Sequence, residues 1–277
     1  MSILVRLLAV ACIVTCLPGE SAPRTNQAAI STEQLIDNLT LLDSQALGID
    51  SFAMFSGFMA DDTPSQFERG LLGAPRPATP PQMRALVQGG ITVLPYLIAH
   101  LNDHRPTKLK VGNPDDTTAS SAMKEQNFFF MFTLFGEEYD PRERSVPPRP
   151  IFGGGEHPFS GQYTVKVGDV CYALIGQIVN RRLVPVRYQP TAGLIVNSPI
   201  EMPALMDRVK HDWGTATSDD LKAPLLLDIH SDRDIYANGA FARLRFYYPD
   251  TYTSLSGADL KKKRQFEAAV RAMEKGK

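Results

Sequence analysis

The chain has 277 residues, 43% hydrophobic and 21% charged, a balance that suits an ordinary globular protein with one core or two small ones. Its formal net charge of −1 supplies no long-range attraction for a polyanion, which argues against a nucleic-acid partner.

Arg6 followed by the apolar run Leu7–Val14 has the pattern of a secretion signal, since that run is too short to span a bilayer. The expectation is a signal over 1–22 and export to the periplasm or the extracellular space, with Ala22-Pro23 a poor cleavage site and processing complete before about Ile30. Ile13-Val14-Thr15-Cys16 resembles a bacterial lipobox, which would lipidate Cys16 and supply the one membrane link expected of the chain. Removing the signal leaves Cys171 as the last cysteine, so no intrachain disulfide is expected.

Ser31 and Gln34 occupy the reciprocal positions of a capping box, and Leu35, Leu39 and Leu42 follow on one face. Gly48–Arg69 breaks that periodicity and reads as an irregular excursion pinned by Phe52, Phe55 and Phe58. Thr79-Pro80 predicts the N-cap and first position of a helix whose apolar face is Met83, Leu86 and Val87. Gly89-Gly90 stops it, and Leu94, Leu97, Ile98 and Leu101 restart the helical spacing. The segment Ala85–Asp103, ALVQGGITVLPYLIAHLND, resembles a HEAT-type helical pair. That resemblance implies a helical N-terminal part over 31–111, of the kind that scaffolds other macromolecules.

Lys108–Val111 predicts a short strand, and Phe128–Phe135 an apolar, aromatic one. Residues 112–162 read as an irregular connection, with Pro141–Gly161 a Pro/Gly-rich surface loop. Tyr163, Val165 and Val167 alternate as a strand leading into Gly168–Arg182, the helix around which the chain is organised. On that helix Val170, Cys171, Leu174, Ile175, Ile178 and Val179 share one half of the circle, Asp169 is the expected N-cap, and Gly176 and Ala173 leave room for a second backbone. Arg187-Tyr188-Gln189-Pro190 reads as a turn and Gly193–Val196 as a strand. Helices are then predicted over Pro203–Trp213, Ser218–His230 around Pro224, Ala237–Tyr248 and Ser256–Lys275. The whole is expected to be mainly α with a small β component: a HEAT-like N-terminal part and a mainly helical C-terminal part over 163–277 with short strands.

Two groups of residues compete for function. Asp228, His230, Asp232 and Asp234 form the densest set of acid–base or metal-ligating side chains and would support a hydrolase, metal-dependent or not. On a helix end and turn they splay instead, with Asp234 a cap and His230 complementing the helix dipole. His100 and His104 have the i, i+4 spacing of a shared metal but lack the glutamate of a zincin motif. Gly-x-Ser-x-Gly, P-loop and Gly-x-Gly-x-x-Gly patterns are missing from the sequence, and no metal or cofactor is expected. Asn180, Arg181, Arg187, Tyr188 and Gln189 gather planar donors and an aromatic ring near the end of the central helix. Such groups suit carboxylate or carbonyl recognition, while Arg181 and Asn180 equally suit the satisfaction of a helix end. The leading expectation is an exported module that binds a protein or a small ligand.

Overall fold

The computed structural model describes residues 30–43, 58–61, 79–112, 130–134, 139, 149–151, 162–189 and 193–275. The chain divides into Met1–Ile30 and one compact unit, Ser31–Lys277. The expected signal and Cys16 lie outside the described residues.

The unit is mainly helical with a small β component. Helix α1 (Thr32–Asp37) opens with the expected capping box: Gln34 N–H donates to Ser31 Oγ at 3.2 Å, and Gln34 Oε1 accepts from Ser31 N–H at 2.9 Å. It runs into a 3-10 turn, Asn38–Leu41, and Ile36, Leu39 and Leu42 are buried. Helix α2 (Pro81–Gly89) starts one residue later than expected, with Pro80 as N-cap and Pro81 at the first position. Either proline suits a place where no amide is needed, so the pair shifts the boundary without weakening it. Gly90 ends α2 at φ +53°, and a 3-10 turn (Gly90–Thr92) leads to α3 (Leu94–Ala99), which buries Leu94, Leu97 and Ile98.

Strand β1 (Pro106–Gly112) alternates strictly, with Thr107, Leu109 and Val111 buried and Lys108 and Lys110 exposed. It pairs antiparallel with β4 (Gln162–Lys166) across an irregularity between Pro106 and Lys110. Thr107 Oγ1 bridges that gap, donating to Val165 O at 2.7 Å and accepting from Leu109 N–H at 3.1 Å. A second sheet has the order β3-β2-β6-β5, formed by β2 (Phe130–Leu134), β3 (Arg149–Ile151), β5 (Val186–Gln189) and β6 (Gly193–Val196). Strand β3 falls within the stretch expected to be loop. Strand β5 replaces the turn expected at Arg187–Pro190: Arg187 lies opposite Ile195 and Tyr188 opposite Leu194. The proline-adjacent pattern was locally turn-like, and pairing with β6 overrides it.

Central helix α4 (Val167–Val179) is buried at all thirteen positions, the polar half included. Its N-cap is Lys166, and Asp169, expected in that place, sits at the third helical position. The carboxylate nevertheless caps, accepting from Lys166 N–H at 2.9 Å, because reaching back from the third position satisfies an amide that the cap's own side chain leaves alone. Helices α2 and α3 pack against α4. Gly176 makes room as anticipated: a Cβ there would stand 2.6 Å from Arg181 O and 2.9 Å from Leu183 Cβ. The backbone it admits is the chain's own return after the helix.

Among the described residues five further helices follow β6: α5 (Pro203–Trp213), α6 (Ser218–Asp228, with Pro224 inside it), α7 (Asp234–Tyr247), α8 (Pro249–Ser254) and α9 (Gly257–Lys275). Pro249 was expected only to stop a helix, and it also starts α8, where its fixed φ is favourable. Arg233, rather than Asp234, is the N-cap of α7. One apolar cluster joins Ile36, Leu86, Leu97, Leu174, Val209, Phe241 and Phe266.

Candidate functional site

Both ends of α4 carry buried polar groups, and they are built differently. At the C-terminal end Asn180 adopts φ +60°, a left-handed conformation that asparagine tolerates and that turns the chain sharply. Its Nδ2 donates to Asp228 Oδ2 at 2.8 Å and to Tyr236 O at 3.0 Å, while its Oδ1 accepts from Arg243 Nη1 at 2.9 Å. Arg181 Nη1 donates to Asp228 Oδ2 at 2.5 Å and to Asn180 O at 2.9 Å, with both side chains of that ion pair at most 2% exposed. Arg243 adds Nε to Gln177 O at 2.6 Å and Nη1 to Gly239 O at 2.8 Å, and its guanidinium lies 4.7 Å over the Phe58 ring. Burial lowers the Arg243 guanidinium to about 10, so it still carries its charge at neutral pH. Gln177 Oε1 accepts from Met59 N–H at 3.1 Å. The network therefore ties α4 to α6, α7 and the segment 58–61.

That geometry assigns internal work to two of the residues expected to bind a ligand, Asn180 and Arg181. The other three, Arg187, Tyr188 and Gln189, form β5, and their side chains lie outside the described residues. The acidic set does not converge. Asp228 turns inward to Arg181 and Asn180, His230 Nε2 lies 3.2 Å from Asp259 Oδ1 with its side chain 52% exposed, and Asp232 and Asp234 are exposed. Helix α6 ends at Asp228 and a turn follows, so the four side chains splay as the helix-end reading expects, with Arg233 rather than Asp234 as the next cap. Among the described residues no three His, Cys, Asp or Glu side chains are placed to hold a metal. His100 contacts Asp103 at 3.0 Å and Glu33 at 3.1 Å, whereas His104 contacts Asn102 at 3.1 Å, so the two imidazoles serve separate partners. Cys171 packs inside as expected, and burial pushes its thiol up, away from thiolate chemistry.

The N-terminal end of α4 gathers a cluster that the sequence did not reveal. Tyr163 Oη donates to Asp169 Oδ2 at 3.0 Å and lies 3.4 Å from both Ser198 Oγ and Glu201 Oε1. Lys166 Nζ pairs with Glu201 Oε1 and stands 5.5 Å above the Tyr163 ring. Ser198 Oγ also accepts from Ile200 N–H at 3.1 Å, which holds the turn after β6 in place. Burial raises Asp169 above the usual carboxylate range, against the lowering by Ser198, Lys166 and Tyr163. Burial, with the neighbouring Asp169 charge, likewise raises the Tyr163 phenol. One local signal marks half of this cluster: Ser198-Pro199-Ile200-Glu201 has the Ser-x-x-Glu spacing of a turn that caps itself. Its meeting with Tyr163 and Asp169 depends on the pairing of β1 with β4 and of β5 with β6.

Compared with protein-family models, with curated proteins and with solved structures, the chain matches none of them.

Proposed function

We propose that this chain is an exported binding or scaffold module, and that β5 carries its contact surface through Arg187, Tyr188 and Gln189. The observation that carries this reading is the position of β5 at the end of the order β3-β2-β6-β5 among the described strands, a few residues after the pinned end of α4. A guanidinium and a phenol are side chains of the type that make charge-assisted and aromatic contacts. The HEAT-like pair α2–α3 adds a second element of scaffolding character. Export rests on Arg6 and Leu7–Val14 alone, and fractionation of the native host tests it directly. Loss of fatty-acid labelling on Cys16→Ser tests the lipid anchor. The alternative hydrolase needs Asp228 and His230 in one pocket, and their divergent contacts give that reading no support.

Crosslinking and capture from the host envelope, comparing wild type with Arg187→Ala and Tyr188→Ala, tests the contact surface. Truncating an interfacial arginine or tyrosine costs about 1–4 kcal/mol of binding, enough to weaken a specific partner's affinity about fivefold or more. The reading fails if both variants melt early and still capture the same partners.

A further inference from the structure

The two oxygens of Asp169 are treated unequally. Oδ2 accepts both Tyr163 Oη–H and Lys166 N–H, while Oδ1, in a residue with no exposed surface, has no hydrogen-bond partner. The charged and titratable groups around it come from three elements. Strand β4 supplies Tyr163 and Lys166, and the turn after β6 supplies Ser198 and Glu201. The segment ahead of β1 brings Asp103 and Arg105, whose carbonyls accept from Gly168 and Val167 N–H in the first turn of α4. On α4 itself the neighbour is the buried Cys171 thiol. Arg105 is engaged by Asp103 and Asp37, and Lys166 by Glu201, so neither nearby cation makes an ion pair with Asp169. The Ser198 hydroxyl also bonds this carboxyl and favours its ionised form, but burial outweighs it, so a carboxylate with no paired cation is a place where a proton is favoured over a charge.

We propose that Asp169 is a proton-operated switch at the joint between β4, α4 and the turn 197–202, reached from the surface through Glu201 and Tyr163. Glu201 and Lys166 are about one-fifth and one-quarter exposed and form the outer end of the path. A proton entering from solvent on the Glu201 side passes to Tyr163 Oη as the Tyr163 proton passes to Asp169 Oδ2. The phenol is restored, and no proton is lost or gained within the chain beyond the one taken up. Before the transfer the Tyr163 hydroxyl donates to the helix; afterwards it donates to the Glu201 side of the turn, and Asp169 donates to it. The charge on Asp169 thus decides whether Tyr163 serves the cap of α4 or the turn that carries Ser198. The raised affinity of Asp169 for its proton agrees with this, and the sign follows: stability from the neutral form is complete at low pH and is lost as pH rises through the folded value.

Thermal denaturation from about pH 4 to about pH 9 tests the switch on the full chain, together with the infrared band of a buried carboxylic acid. Asp169→Asn is expected to melt above wild type at the alkaline end, with the difference closing as pH falls, and to lose the acid band. Tyr163→Phe, which removes the donor that favours the ionised form, is expected to move the wild-type transition to higher pH. The proposal is overturned if Asp169→Asn reproduces the wild-type pH profile, or lies below it by a constant amount. Should Asp169→Asn fail to fold, an unshifted profile in Tyr163→Phe overturns it as well.

Discussion

The two ends of α4 solve the same problem, polar groups in a sealed core, in opposite ways. At the C-terminal end the Asp228 carboxylate meets Arg181 and the Asn180 amide, and these bonds together with Arg243 tie the end of α4 to α6 and α7. At the N-terminal end a carboxylate equally removed from water is held on one oxygen by neutral donors. The first arrangement pairs the charge it buries, whereas the second leaves Asp169 without a paired cation whenever it is ionised. Burial alone therefore does not tell a structural carboxylate from a responsive one; the identity of its partners does.

The largest expected effect lies at the C-terminal end. Asp228→Ala leaves Arg181 buried without its carboxylate and takes away the negative charge that favours the charged form of Arg243, and should cost about 3–5 kcal/mol, read as a fall in the denaturant midpoint at unchanged slope. Next comes Gly176→Ala, whose new methyl would meet the Arg181 carbonyl and Leu183 inside normal contact distance. An overpacking cost of about 1–3 kcal/mol is expected by the same measurement. The smallest effect sharpens the comparison by its pH dependence. Desolvation would raise Asp103, yet its bonds to Arg105 and His100 win and lower it to about 2. Its contribution is then complete above the ordinary value of 3.8 and is lost as pH falls toward about 2. Asp103→Asn should flatten the acid limb of the stability curve while leaving the alkaline limb, assigned above to Asp169, in place.

Local patterns made much of the fold legible. The box at Ser31 and Gln34, the span Pro203–Trp213 and the small residue at Gly176 each rest on interactions within one helix or its immediate return. Errors cluster where a partner outside the element decides. Arg187–Gln189 became strand because β6 pairs with it, and the apolar half-circle of α4 proved too narrow because its other side is buried too, against the chain's own return at Arg181 and Leu183 and against Met59 and Asn197. The site followed the same rule. Asn180 and Arg181 could be read as helix-end residues, but Asp228 lies 47 positions from Arg181, and Arg243 lies 63 from Asn180. Tyr163 meets Ser198 across 35 positions, a separation that no periodicity encodes.

The claim on which the rest depends is that the Arg181–Asp228 pair is support and that recognition belongs to β5. A double-mutant cycle with Arg181→Met, Asp228→Leu and the combination, followed by chemical denaturation and by partner capture, tests it most directly. Each single variant should be strongly destabilised, and the double variant should recover at least about 1 kcal/mol of the summed loss. Folded fractions of all three should capture partners as wild type does. Single variants that keep wild-type stability while losing capture would contradict the account and make the end of α4 the binding site itself.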